Sequence, residues 1–106
     1  MRLLSRSEEL VLAAIWKLDG DAYGVTIRDQ VSADTGTFWS FGAIYRPLKQ
    51  LDDKGFVEKI QGAPSPQRGG RSRFYYRLTP EGRSALKDIR RIYRSVWTKD
   101  LERSFE

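Results

Sequence analysis

The 106 residues contain no cysteine and no histidine. Without cysteine there is no disulfide, no thiolate nucleophile and no Cys-based metal site. Without histidine the chain lacks the commonest general base and the commonest metal ligand. Catalysis would have to rest on carboxylates, Lys, Tyr or Ser alone, so we read the chain as a non-enzyme with no metal or cofactor. No segment approaches the roughly 18 apolar residues of a membrane span. The opening "MRLLSRSEEL" turns acidic at Glu8 and has no long apolar core, so it does not read as a signal peptide. A cytoplasmic protein with no membrane partner is expected.

What is present fits one soluble domain with a small core: 40% of residues are hydrophobic and 31% charged. The net charge is +5 and it is unevenly placed. Residues 54–78 hold Lys54, Lys59, Arg68, Arg71, Arg73 and Arg77 against Glu58 alone, a surplus equal to that of the whole chain. A basic patch confined to one stretch is an electrostatic footprint for a polyanion, although charge of this kind also serves solubility.

Periodicity and caps divide the chain. Ser5-x-x-Glu8 has the form of a capping box, opening a helix with Leu10, Val11, Ala14, Ile15 and Leu18 on one face. "DGDAYG" breaks it, and a shorter helix from Tyr23 to about Asp34 ends at Thr35-Gly36. "TFW" has room for at most a short extended segment. Ser40 caps a third helix to about Lys54, with Gly55 beyond its end and Ile44, Leu48 and Leu51 as its buried stripe. Pro47 inside this helix deletes a backbone bond and predicts a bend or a 3₁₀ start. Phe56–Ile60 and Arg73–Leu78 alternate as antiparallel strands, with Phe74, Tyr76 and Leu78 on the inner face. Thr79-Pro80-Glu81 then starts a last helix, expected to reach about Arg103. Its Leu86, Ile89, Tyr93 and Val96, with Trp97 beside them, are spaced as a coiled-coil seam.

The fold class is therefore mainly α with a small β-hairpin, a winged helix-turn-helix plus a C-terminal dimerisation helix. Residues 1–79 form the winged unit and 80–106 the dimerisation helix, packed as one structural unit. In such a fold the third helix enters the major groove of DNA and the wing reaches the adjacent backbone or minor groove. The wing is long. Pro64 and Pro66 stiffen it, Gly69 and Gly70 let its tip turn, and Arg68, Arg71 and Arg73 carry charge toward phosphates. The role of Ala63–Gln67 beyond length and stiffness is not legible. An RNA-binding or a protein-interaction winged helix would use the same basic hairpin, and both remain alternatives at this point.

Three stretches add a resemblance. "AYGVTI" (22–27), "SFGAIYRPLKQLDDKGFVEK" (40–59) and "GGRSRFYYRLTPEGRSAL" (69–86) resemble the PadR family of bacterial transcriptional regulators. The family patterns Tyr-Gly-x-x-Ile, Ser-x-Gly-Thr-Leu-Tyr-Pro-x-Leu and Gly-Arg-x-x-x-Tyr-Tyr-x-Leu-Thr-x-x-Gly occur in order. The resemblance implies a homodimeric repressor of palindromic promoter DNA, an inverted repeat, released in many members by a small molecule. It implies the short subgroup with a single C-terminal helix. Ala43 and Ile44 stand where the family has Thr-Leu, and Arg46-Pro47 where Pro-Leu is usual, so no operator sequence carries over.

The candidate site residues follow from chemistry. Ser40 and Tyr45 can donate to phosphate oxygens, Gly42 and Ala43 permit close approach, and Arg46 and Lys49 can reach bases or phosphates. Tyr45 has an equal second reading as a core residue at the junction with the wing. Arg68, Arg71 and Arg73 complete the DNA-facing set. Leu86, Ile89, Tyr93, Val96 and Trp97 are the dimerisation set; the helix folding back on its own domain is the other reading. Trp16, Tyr93 and Trp97 are candidates for stacking on a small planar aromatic effector, with plain dimer packing the stronger reading.

Overall fold

The computed structural model describes residues 3–62 and 73–105. Three helices come first: α1 (Arg6–Leu18), α2 (Gly24–Thr35) and α3 (Phe41–Asp53). An antiparallel hairpin follows, β1 (Val57–Gln61) and β2 (Phe74–Leu78), and then α4 (Pro80–Val96) and α5 (Lys99–Arg103). The arrangement is a winged helix-turn-helix with a helical C-terminal extension.

Local chemistry sets the helix starts. Ser5 and Glu8 close a reciprocal capping box on α1: the Ser5 N–H donates to Glu8 Oε1 at 2.8 Å, and the Glu8 N–H to Ser5 Oγ at 3.2 Å. Thr26 does similar work for α2, its hydroxyl accepting from the Tyr23 N–H at 3.0 Å. Thr79 caps α4 through the Gly82 N–H at 3.1 Å, with Pro80 at the first helical position. Gly55 ends α3 with φ +78°, a conformation that glycine adopts without steric cost.

The core forms where the three helices and the hairpin meet. Val11, Leu12, Ala14 and Ile15 of α1, Ile27 and Val31 of α2, and Ile44, Leu48 and Leu51 of α3 are buried together with Ala22, Val57 and Tyr76. Two ion pairs join the helices at its edge. Lys54 Nζ lies 2.6 Å from Glu8 Oε2, tying the end of α3 to α1, and Lys17 lies 2.9 Å from Asp34, tying α1 to α2. The hairpin pairs Val57 with Leu78 and Gln61 with Phe74. Its β2 edge is fixed by a bond from the Tyr76 N–H to the Ala22 carbonyl at 2.8 Å, which holds the wing against the α1–α2 turn.

Two expectations need correction, and the 3₁₀ alternative at Pro47 falls away. The last helix does not run unbroken to Arg103. Trp97 leaves the helical region (φ −95°, ψ 81°), and Thr98 caps a new helix by accepting from the Leu101 N–H at 3.3 Å. The threonine followed by Asp100 and Glu102 makes a good helix start, and it outcompetes continuation. At Pro47, α3 has no 3₁₀ start: it is α-helical throughout, and the proline ring is buried on its inner face. That burial offsets part of the cost of the deleted backbone bond. Phe74 is 45% exposed rather than turned into the core. The core ends at Tyr76, and Phe74 instead carries the Lys59 ammonium 4.3 Å from its ring centre. "TFW" forms no strand; the Trp39 N–H and indole bond back to Ser32 Oγ and Thr35 Oγ1, at 3.1 and 3.0 Å.

Candidate nucleic-acid interface

α3 has two chemically distinct faces. Ile44, Pro47, Leu48 and Leu51 are buried, while Phe41, Gly42, Ala43, Tyr45, Arg46 and Lys49 are exposed. The split follows from the sequence: the spacing of Ile44, Leu48 and Leu51 fits the core and leaves Tyr45, Arg46 and Lys49 outside. Ser40 lies at the start of the helix, exposed, with Oγ accepting from the Ala43 N–H at 3.2 Å. A Cβ at Gly42 would meet only Ser40 Oγ, at 3.9 Å, so the space over this backbone is open. Lys49 pairs with Asp53 at 3.2 Å, but both side chains are well exposed and such a pair constrains the ammonium little.

Tyr45 is 54% exposed and so is not part of the core. Its ring stacks on Phe41 with centres 6.2 Å apart. Between α2, α3 and the hairpin lies a groove of about 950 Å³, lined by Tyr23, Phe41, Tyr45 and Phe74 and by the cations Lys49, Lys59 and Arg73. The Arg73 guanidinium sits 4.0 Å above the Tyr23 ring, and hydrogen bonding to Tyr75 raises its pKa above the ordinary value. Burial pushes the Tyr76 phenol up as well, with Asp52 and Tyr45 acting in the same direction. Arg73 thus marks the base of the wing. Arg68 and Arg71, like Ala63–Gln67, lie outside the described residues.

A model of the transcriptional regulator PadR-like family matches residues 11–88, from within α1 to the middle of α4. The chain belongs to this family. Solved relatives agree on the fold. A PadR family transcription regulator from hypervirulent Clostridium difficile R20291 is 26% identical, with a TM-score of 0.73 over 95% of this chain and 98% of that one. RosR of H. salinarum is 26% identical, with a TM-score of 0.71, covering 97% of this chain and 86% of its own. A PadR-like regulator from Bacillus cereus strain ATCC 14579 is 26% identical, with a TM-score of 0.69 and coverage of 84% and 82%. No curated protein matches the chain.

The PadR motifs of this sequence meet in space. A Cβ on Gly24 would lie 3.2 Å from the Tyr45 hydroxyl, so the Tyr-Gly motif supplies the clearance that the α3 tyrosine needs. Tyr23 packs edge-on to Tyr75 of the hairpin, with ring centres 5.5 Å apart. Gly62 pairs with Arg73 across the base of the wing, its N–H donating to the Arg73 carbonyl at 2.6 Å. Sequence reasoning also missed the cluster of Arg28 with Phe38 and Phe41. The guanidinium lies 5.9 and 4.3 Å from the two ring centres. The crowding of aromatics in "TFWSF" was the available signal.

The dimerisation and effector candidates spread along α4. Leu86 packs against the core. Ile89 and Tyr93 line a second groove, of about 750 Å³, between α4 and Leu3, Leu4 and Phe56. The Tyr93 hydroxyl donates to Glu9 Oε2 at 2.6 Å, and this bond raises its pKa. Val96 is exposed, and Trp97 sits at the helix break beside Phe105, 5.9 Å away. Trp16 is 61% exposed on α1 and, among the described residues, makes no ring contact with Tyr93 or Trp97.

Proposed function

We propose that this PadR-family regulator represses transcription as a homodimer bound to an inverted repeat in promoter DNA. The observation that carries the reading is the exposed face of α3, with Ser40, Gly42, Ala43, Tyr45, Arg46 and Lys49 beside a groove edged by Lys59 and Arg73. In a winged helix this is the face that enters the major groove. Arg46 and Lys49 supply contacts to bases or phosphates, and Arg68, Arg71 and Arg73 of the wing grip the flanking backbone. A cytoplasmic location suits such a partner.

The dimer uses the seam of Leu86, Ile89, Tyr93 and Val96, with Trp97 at its end. The apolar stripe along α4, half-buried at Leu86, Ile89 and Tyr93 and exposed at Val96, favours this. A planar aromatic effector would stack among Trp16, Tyr93 and Trp97, and because Trp16 makes no ring contact with the other two among the described residues of one chain, a second copy would complete the site. The test of the function is a competition in one tube between a duplex inverted repeat and a structured RNA of equal length. Preference for the duplex, lost in Arg46→Ala/Lys49→Ala, is expected; equal or stronger binding to RNA would overturn the reading. Saturable tryptophan quenching by flat phenolic acids checks the effector, and its absence would count against one.

A further inference from the structure

In a helix-turn-helix the first residues of the recognition helix meet the base edges. Here those residues are Phe41, Gly42 and Ala43, all exposed, and none has a side-chain donor or acceptor. Ser40, just before them, accepts from the Ala43 N–H, and its O–H is the donor assigned above to a phosphate oxygen. Of the features that base pairs present in the major groove, only the thymine C5-methyl is read without a hydrogen bond.

A second observation points the same way. Phe38, on the turn that leads into α3, is 77% exposed and has no part in the core. Arg28 bridges it to Phe41, its guanidinium between the two rings, and is itself paired with Asp29 at 3.0 Å. Asp29 offsets part of the charge, and the two phenyl rings give the patch an apolar surface. Trp39, bonded to Ser32 and Thr35, fixes the turn, so the Phe38 ring is held from a rigid base. A ring this open is costly in water unless something apolar covers it.

We propose that Phe38, Phe41 and Ala43 read thymine methyl groups, so that this end of α3 selects T·A pairs by apolar contact while Arg46 and Lys49 handle the polar part of the site. The inference rests on the DNA reading given above and deepens it.

The experiment first selects binding duplexes from random-sequence DNA with the full chain. Each thymine of a selected duplex is then replaced singly by deoxyuridine, which removes the methyl and nothing else. At one or more positions in each half-site, affinity for the wild type should fall roughly fourfold, the factor that burying one carbon gives. That loss should shrink to near unity in Phe38→Ala or Phe41→Ala, with folding checked by circular dichroism. Deoxyuridine duplexes that all bind within experimental error of the parent would overturn the methyl reading and leave DNA binding intact. A deoxyuridine effect of unchanged size in both variants would overturn the assignment to these side chains. Failure to select any duplex would overturn the DNA reading itself.

Discussion

Replacing Gly82 by alanine sets two effects of opposite sign against each other. Gly82 lies in the first turn of α4, where alanine would favour the helix by at most about 1 kcal/mol. Its position against the hairpin decides the outcome. A Cβ there would fall far inside contact distance of the Phe56 carbonyl oxygen and 3.0 Å from the carbonyl carbon, with Leu78 Cβ at 3.5 Å behind it. The obstacle is backbone, so no rotamer change relieves it. The same carbonyl accepts from the Thr79 N–H at 3.1 Å, and Thr79 also donates to the Gly55 carbonyl at 2.6 Å. Moving α4 outward therefore strains the junction that joins α3, β2 and α4. Overpacking costs about 1–3 kcal/mol and a lost hydrogen bond about 1 kcal/mol more. After the helix gain, a net loss of about 1–3 kcal/mol is expected. For a domain of this size the melting temperature should fall by about 5–20 °C. Thermal unfolding followed by far-ultraviolet circular dichroism measures it, with Ser84→Ala on the exposed face of α4 as control. A Gly82→Ala protein as stable as the wild type, or more so, would refute the close packing of α4 on the hairpin.

Other outcomes are as definite. The Glu8–Lys54 pair is nearly buried at the carboxylate, 4% exposed, and 29% exposed at the ammonium, so Lys54→Met should cost about 3 kcal/mol in urea unfolding at neutral pH. Burial alone would raise the Glu8 pKa, but Lys54 and Ser5 outweigh it and hold it below 4.5. The folded pKa is thus depressed: the stabilisation is complete above 4.5 and fades as the pH falls below it, so wild type and Lys54→Met should converge in acid. A difference that persisted unchanged at low pH would contradict this. Ile89→Glu places a charge in the half-buried seam of α4. It should give a monomer in sedimentation and weaken binding to an inverted repeat by about a hundredfold, as the second half-site contact is lost; an unaltered dimer would move the interface elsewhere.

Much of the fold was legible because its signals are local. Ser5 with Glu8, Ser40, Thr79 with Pro80, and Gly55 announce helix ends through bonds within four residues, and the structure makes those bonds. The α3 stripe of Ile44, Leu48 and Leu51 determined which side faces outward, and so most of the candidate interface. What escaped depends on distant partners. The Lys54–Glu8 pair spans 46 residues, and the Tyr76–Ala22 bond joins segments with no pattern in common. The exposure of Phe74 depends on where the core stops, which strand alternation does not encode. The break at Trp97 was overlooked because the apolar spacing of the seam masked the cap at Thr98. The Phe38–Arg28–Phe41 cluster combines a turn with two helices and is visible only once they pack.

Salt dependence of DNA affinity tests the central claim most directly. Five cations per protomer are assigned to the interface: Arg46, Lys49, Arg68, Arg71 and Arg73. If every one neutralises a phosphate, a dimer gives a slope of log K against log salt approaching about −9. Removing Arg46 from both protomers should reduce that slope by about 2 if it contacts phosphate. Titrations of a selected duplex between 50 and 200 mM salt should show affinity falling by several orders of magnitude for the wild type, and less steeply for Arg46→Ala. Affinity that stays constant across that range would contradict the account.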